Sequence, residues 1–201
     1  MAGNMKQKTL FLLALFLLVG CSSFGGKDSL YAGHLVRQFG GEKTKPDTVA
    51  KRSIVLFHPS SGERLNLTYF VKGQYDPKAM QKINNMFRDR RANKTIKIDP
   101  ELIDYLVDIR ARLGLPSSAV FEILSGYRAL ATNEKLRKKN GQVAKGSYHM
   151  RGWAVDFRIK GVNGKAVAEI AKTMQRGGVS YYPSSNHVHV DLGKIRSWAT
   201  R

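Results

Sequence analysis

Three of the five histidines in this 201-residue chain fall in two short segments. The first reads Ser147-Tyr148-His149-Met150-Arg151-Gly152-Trp153-Ala154-Val155-Asp156; the second, some thirty residues on, reads Asn186-His187-Val188-His189-Val190-Asp191. Two imidazoles and one carboxylate drawn from these segments make a three-ligand set for zinc, with a fourth position left for water. In such a site the water becomes a nucleophile near neutral pH, so the pattern points to metal-assisted hydrolysis.

The elements that must position these groups can be read from their periodicity. Residues two apart on a strand share a face. His187, His189 and Asp191 therefore project together, while Val188 and Val190 enter the core. Ala154 to Ile159 alternates in the same way, with Val155, Phe157 and Ile159 on one face and Asp156 on the other. If the two strands are neighbours, Asp156 meets one or both histidines. His149 lies at an odd offset from Asp156, on the wrong face of a straight strand, and Gly152 between them supplies the bend that would bring it back.

The rest of the chain alternates short strands and helices. Ser53–Phe57 and Leu65–Val71 are β-like runs around Pro59-Ser60-Ser61-Gly62, a hairpin signal. Asp76-Pro77 and Asp99-Pro100 each open a helix, with Asp as N-cap and Pro at the first turn. Met80, Ile83 and Phe87 make the buried stripe of the first; Leu102, Leu106, Ile109 and Leu113 make that of the second, which Gly114 and Pro116 stop. Ala119–Leu124 reads as a strand, Asn133–Lys139 as a short helix, and Lys165–Arg176 as an amphipathic helix closed by Gly177-Gly178. Val179–Tyr182 and His187–Asp191 pair around Pro183-Ser184-Ser185. This order predicts one α+β domain over 51–201, an antiparallel sheet with flanking helices.

The N-terminal residues place the chain outside the cytoplasm. Lys6 and Lys8 precede an apolar run, Thr9–Val19, that is too short to span a bilayer, which needs roughly 20 residues. The run ends Leu18-Val19-Gly20-Cys21, which resembles the lipobox of bacterial lipoproteins. That resemblance implies a signal peptide over 1–20, acylation of Cys21, and a membrane anchor. Ser22 after the cysteine points to the outer membrane of a double-membrane cell, facing the periplasm. Residues 21–50 read as the lipidated cysteine and a polar tether, with a short ordered piece near Leu30–Phe39. Cys21 is the only cysteine, so neither an internal disulfide nor a cysteine–zinc site can form. The formal charge of +19 still stands at +17 once Lys6 and Lys8 are removed, and favours a polyanionic or acidic partner. Export argues against nucleic acid and for cell wall or lipid headgroups.

Ser125-Gly126-Tyr127-Arg128, then Ser-Tyr-His-x-x-Gly-x-Ala-x-Asp-Phe, then Gly-Gly-Val-x-Tyr-Tyr-Pro-x-Ser-Asn-x-Val-His-Val-Asp together resemble the murein endopeptidase K-like zinc peptidases. These belong to the wider lysostaphin, D-Ala-D-Ala peptidase and hedgehog-type folds. The resemblance extends upstream to Asn84-x-x-Phe87-Arg88-Asp89-x-Arg91-Ala92-Asn93 and Ile98-Asp99-Pro100, and covers residues 53–198. It implies one zinc ion held by His149, Asp156 and His189, and Arg128 on the scissile carbonyl oxygen, where a fixed guanidinium stabilises an oxyanion. Some relatives carry an acidic residue three positions before the last histidine. Here Asn186 stands there and cannot accept a proton. His187 is the alternative, either as general base or as a group that orients water or substrate. Asp191 is a candidate partner for a ligand imidazole. Tyr148, Tyr181 and Tyr182 are candidate walls of the substrate groove.

The expected function is hydrolysis of peptide cross-links in peptidoglycan by a monomeric zinc endopeptidase. Two other readings fit the same residues: a wall-binding lipoprotein without activity, and a carboxypeptidase acting on terminal D-Ala. The residues leave open which cross-link is cut.

Overall fold

The computed structural model describes residues 51–141 and 143–199. The signal segment, Cys21, the tether and the Leu30–Phe39 piece lie outside the described residues. Among the described residues no helix is long and apolar enough to cross a membrane.

Among the described residues, eight strands form one sheet in the order β3-β2-β1-β4-β5-β7-β6-β8. β1 (Lys51–Phe57) and β2 (Arg64–Val71) make the expected antiparallel hairpin, and the short β3 (Gln74–Tyr75) extends it. Gly62 takes φ +70 in the turn, a conformation glycine adopts without strain. α1 (Pro77–Met86) and α2 (Pro100–Arg112) follow, each opened by the aspartate–proline pair. The Asp76 carboxylate accepts from the N–H groups of Lys78 and Ala79, and that of Asp99 from Glu101. Caps of this kind stabilise a helix by about 1 kcal/mol.

The sheet is mixed, which corrects the antiparallel expectation. The two-helix crossover returns the chain so that β4 (Val120–Ser125) pairs parallel with β1. After the β6 (Gly178–Tyr182) and β7 (His187–Asp191) hairpin, β8 (Arg196–Ala199) doubles back outside β6 and pairs parallel with it. Neither connection is a hairpin, so strand periodicity carries no signal of its direction. The other five pairings are antiparallel, including β4–β5 (Ala154–Ile159) and β5–β7.

One face of the sheet carries Phe121, Ile123, Val155, Phe157, Val188 and Val190 into the core, against Leu102, Leu106 and Ile109 of α2 and Val167, Ile170 and Ala171 of α4 (Gly164–Thr173). Truncating one of these phenylalanines to alanine costs about 3–5 kcal/mol. The opposite face of β5 and β7 carries Asp156, His189 and Asp191. α3 (Leu130–Lys139) starts three residues earlier than its periodicity suggests and buries only Thr132 and Asn133 within the helix.

α4 ends differently from expectation. It stops at Thr173, and Gln175 takes the left-handed conformation at φ +50. Gly177 and Gly178 serve the sheet instead of the cap. A Cβ on Gly177 would lie 1.8 Å from the Asp191 carbonyl oxygen.

Candidate metal centre

Strand register assembles the site. Asp156 on β5 lies directly across from His189 on β7, with Ser125 of β4 on its other side. His149 arrives from a 3-10 turn, Tyr148–Arg151, that ends at Gly152 with φ +71. A side chain at Gly152 would also come within 2.8 Å of the Lys97 carbonyl oxygen, so the bend is packed as well as turned. The result is three buried donor groups, His149, Asp156 and His189, whose ligand atoms all lie within 4.8 Å of one another. Nε2 of His149 is 3.4 Å and Nδ1 of His189 2.8 Å from the same oxygen, Oδ1 of Asp156.

His149 Nδ1 is 2.7 Å from the Gly126 carbonyl, which can only accept, so Nδ1 carries the hydrogen. Burial pushes the His149 imidazole below its ordinary value, which leaves Nε2 as a lone pair facing a carboxylate oxygen. A lone pair facing an acceptor is satisfied by a cation between them. Ligand bonds of about 2.0–2.1 Å in a tetrahedron place donors roughly 3.3–3.5 Å apart, and the 3.4 Å separation matches. The donor set therefore fits a divalent ion that accepts nitrogen and oxygen ligands.

His189 differs from His149. Both its nitrogens face carboxylates, Asp156 at 2.8 Å and Asp191 Oδ2 at 2.9 Å. Burial works against its charge, but the two carboxylates overcome it and hold the imidazole above its ordinary value. Asp156 is buried too, which alone would raise it, but it is held well below the usual carboxylate range, with the His189 imidazole 2.8 Å away. Asp191 is fully buried, at 0% exposure, and accepts from the N–H groups of Gly178 and Gly193 and from Arg196. An imidazole that donates its second nitrogen to a carboxylate is the common support of a histidine metal ligand.

Arg128 reaches the same spot. Its Nη2 lies 2.5 Å from Oδ2 of Asp156 and its Nε 2.9 Å from the Ser125 hydroxyl. The loop that carries it is braced by the upstream motif. The Asp89 carboxylate accepts from the Ala129 N–H, and Tyr127 N–H donates to the Phe87 carbonyl. Gly126 is obligatory there, because a Cβ would sit 2.5 Å from that same carbonyl oxygen.

The centre floors a cleft of about 290 Å³ lined by Arg128, Tyr148, Tyr182, Arg196 and Trp198 and by Val143 and Ala144 of the loop before the Tyr148–Arg151 turn. Of the three tyrosines singled out from the sequence, Tyr148 and Tyr182 line this cleft. Tyr181 does not: alternation along β6 turns it to the opposite face, where its ring crowds Gly164 of α4. His187 sits beside the cleft without lining it, its ring stacked 4.1 Å from Tyr182 and its Nδ1 2.6 Å from the Ser185 hydroxyl. Asn186 occupies a left-handed turn, and its side-chain oxygen accepts from the Gly164 N–H, away from the centre.

A family model described as peptidoglycan L,D-endopeptidase MepK matches residues 46–198. The chain belongs to this family. The family is one of metal-dependent peptidases. Its match spans every residue of the cleft and ends at Trp198. The probable peptidoglycan L,D-endopeptidase MepK of Haemophilus influenzae is 38% identical over 154 residues, 77% of this chain and 80% of that protein. Peptidoglycan L,D-endopeptidase MepK of Escherichia coli K12 is 40% identical over 151 residues, 75% and 82% of the two chains. No solved structure matches the chain significantly.

Sequence reasoning about this member of the MepK family missed β8. Arg196 and Trp198 line the cleft, and the Trp198 ring lies 5.2 Å from His189. Their signal was available in the alternation Arg196-Ser197-Trp198, but a short strand that pairs out of sequence order is not announced by periodicity.

Proposed function

We propose that the protein is a zinc endopeptidase, anchored by lipid at Cys21 on the periplasmic side of the outer membrane, that hydrolyses an L,D peptide bond in peptidoglycan cross-links. One observation carries the reading: three buried metal-binding donors and an arginine converge at the floor of an open cleft, in a chain of the MepK family. The L,D bond is taken from the names of the relatives. The donor set of two imidazoles and one carboxylate favours zinc. The sequence resemblance supports placing the mixed sheet with the hedgehog and D-Ala-D-Ala peptidase folds.

When bound, the ion supplies Lewis acidity and makes water nucleophilic near neutral pH. The chain supplies the rest. Arg128 is fixed through Nε and Nη2, and its Nη1 is left to donate to the scissile carbonyl oxygen as charge develops there. Burial lowers the His187 imidazole below its ordinary value, and His187, held at Ser185 through Nδ1, is the side chain assigned to take a proton or to orient water or substrate. Asn186 gives no support to a binding-only protein, because its side chain serves the turn and the start of α4.

The test is digestion of purified sacculi by the zinc-loaded soluble form, beside His189→Ala. Cross-linked dimers should fall and monomers rise with the parent alone, and the product masses identify the bond. Unchanged dimers with the parent would reject the proposal. Replacing Cys21 by Ser should release the protein from the membrane fraction; continued membrane retention would reject the anchor.

A further inference from the structure

β6 carries two of its smallest residues where it faces the site. Gly178 stands between Arg196 of β8 and Asp191 of β7, and Ser180 stands between Trp198 and His189. The edge strand therefore reaches across its neighbour. A Cβ on Gly178 would lie 2.5 Å from both Arg196 Nη1 and Asp191 Oδ2, so the pair occupies the space that a side chain there would fill. Arg196 grips the Asp191 carboxylate with both terminal nitrogens, at 3.0 and 2.7 Å. Its guanidinium is held between two rings, 5.4 Å from the centre of Tyr148 and 5.0 Å from that of Trp198. Tyr148 in turn is packed against Gly193, where a Cβ would meet the ring at 2.2 Å. Asp191 then passes the restraint on, with Oδ2 2.9 Å from Nε2 of His189.

We propose that Arg196 is a positioning residue of the metal centre: through Asp191 it fixes the His189 imidazole with Nδ1 turned toward Asp156 and His149. This rests on the metal-site reading above but not on the substrate assigned to it. A forked guanidinium meeting a carboxylate with two parallel bonds fixes orientation as well as charge, which a lysine cannot reproduce. Removing an outer partner of a metal-bound histidine typically costs about 10–100-fold in metal affinity.

The test measures metal binding without substrate. Zinc affinity of the parent, Arg196→Ala, Arg196→Lys and Gly178→Ala is read by chelator competition, with thermal unfolding of each metal-free protein alongside. Cobalt(II) replaces zinc to report ligand geometry by its visible spectrum. Arg196→Ala should lose about 10–100-fold in zinc affinity and shift the cobalt spectrum. Arg196→Lys should recover only part of the loss. Gly178→Ala keeps both charges but displaces them, and should behave like Arg196→Ala. If Arg196→Ala unfolds, Arg196→Lys and Gly178→Ala decide alone. Parent-like zinc affinity and an unchanged cobalt spectrum in the folded variants would overturn the proposal. A parent that binds zinc with no donor contribution from His189, shown by unchanged affinity in His189→Ala, would instead reject the metal-site reading itself.

Discussion

Two buried carboxylates show what separates scaffold from site in this molecule. Asp104 on α2 and Asp156 on β5 are both buried and both surrounded by polar partners. Asp104 accepts from the Tyr69 hydroxyl at 2.7 Å and the Tyr75 hydroxyl at 2.5 Å, and pairs with Arg52 at 3.0 Å. Burial pushes both tyrosines above their ordinary range, and an arginine stays charged, so these donors keep their hydrogens at any working pH. Asp156 faces two imidazoles and Arg128. An imidazole can surrender its proton and present a lone pair near neutral pH. The partners of Asp104 are all permanent, whereas two of the three partners of Asp156, the imidazoles, are exchangeable. Burial of a charge does not mark function here; exchangeability of its partners does.

Replacing each aspartate by asparagine is the sharpest way to break that contrast. Asp156→Asn should cut zinc affinity and lower kcat/KM by about 10³-fold or more, since an ion of this kind stabilises the transition state by several kcal/mol. Asp104→Asn should leave activity per folded molecule near the parent's while costing about 3–5 kcal/mol of stability, the usual penalty for breaking a buried ion pair. Denaturant unfolding and steady-state kinetics on the same preparations separate the two. Loss of zinc binding in Asp104→Asn would erase the distinction.

Arg128 sharpens the comparison next, because it belongs to both worlds: it pairs with Asp156 and lines the cleft. Arg128→Ala should reduce kcat by about 10²–10³-fold, the usual effect of removing one oxyanion donor. Zinc affinity should change far less. A fall in affinity as large as the fall in kcat would make Arg128 a support of Asp156 and nothing more.

Much of this was legible from residue types alone. Alternation put Val188 and Val190 inside and His189 and Asp191 together, and the aspartate–proline pairs marked two helix starts. The position of Gly152 between His149 and Asp156 announced the bend that the left-handed turn provides. What stayed hidden was pairing between strands far apart in order. The parallel partners β1–β4 and β6–β8 follow from where crossovers run, not from local pattern. The reach of Arg196 over Gly178 was hidden for the same reason. The glycine there looks like a helix stop until β7 is seen beside it. Tyr181 and Tyr182 are adjacent on one strand, so only one of them can face the cleft, and which one it is follows from the register with β7.

The exchangeable partner also has a proton signature. His189 holds its proton above the ordinary histidine value, because Asp156 and Asp191 outweigh the cost of burial. A metal ligand must give that proton up, so zinc uptake should release about one proton per ion, and affinity should fall as pH drops through the raised value. In the metal-free protein the sign is reversed. A raised folded value gives stability that is present below the unfolded value and lost as pH rises through the folded one. Titration calorimetry in buffers of different ionisation enthalpy counts the proton. No buffer dependence below neutral pH would mean that His189 is already neutral, and would put it in the same class as His149.

The smallest effect comes from a carboxylate that is neither buried nor exchangeable. Glu63, on the approach to β2, is hydrogen-bonded by Arg88 and paired with Arg90, which together hold it at about 2 despite some desolvation. Its depressed value gives stability that is present above the unfolded carboxylate range and lost as pH falls toward 2. More than a third of its side chain is exposed, so solvent screens the pair and the gain is about 1 kcal/mol or less. Glu63→Gln should therefore lower stability slightly at pH 7, with the gap to the parent closing as pH falls from about 4.5 toward 2. Raising the salt concentration should shrink the same gap, because exposed pairs are screened. A gap that persists at low pH and high salt would assign Glu63 a packing role, and would place it with Asp104 on the scaffold side of the comparison.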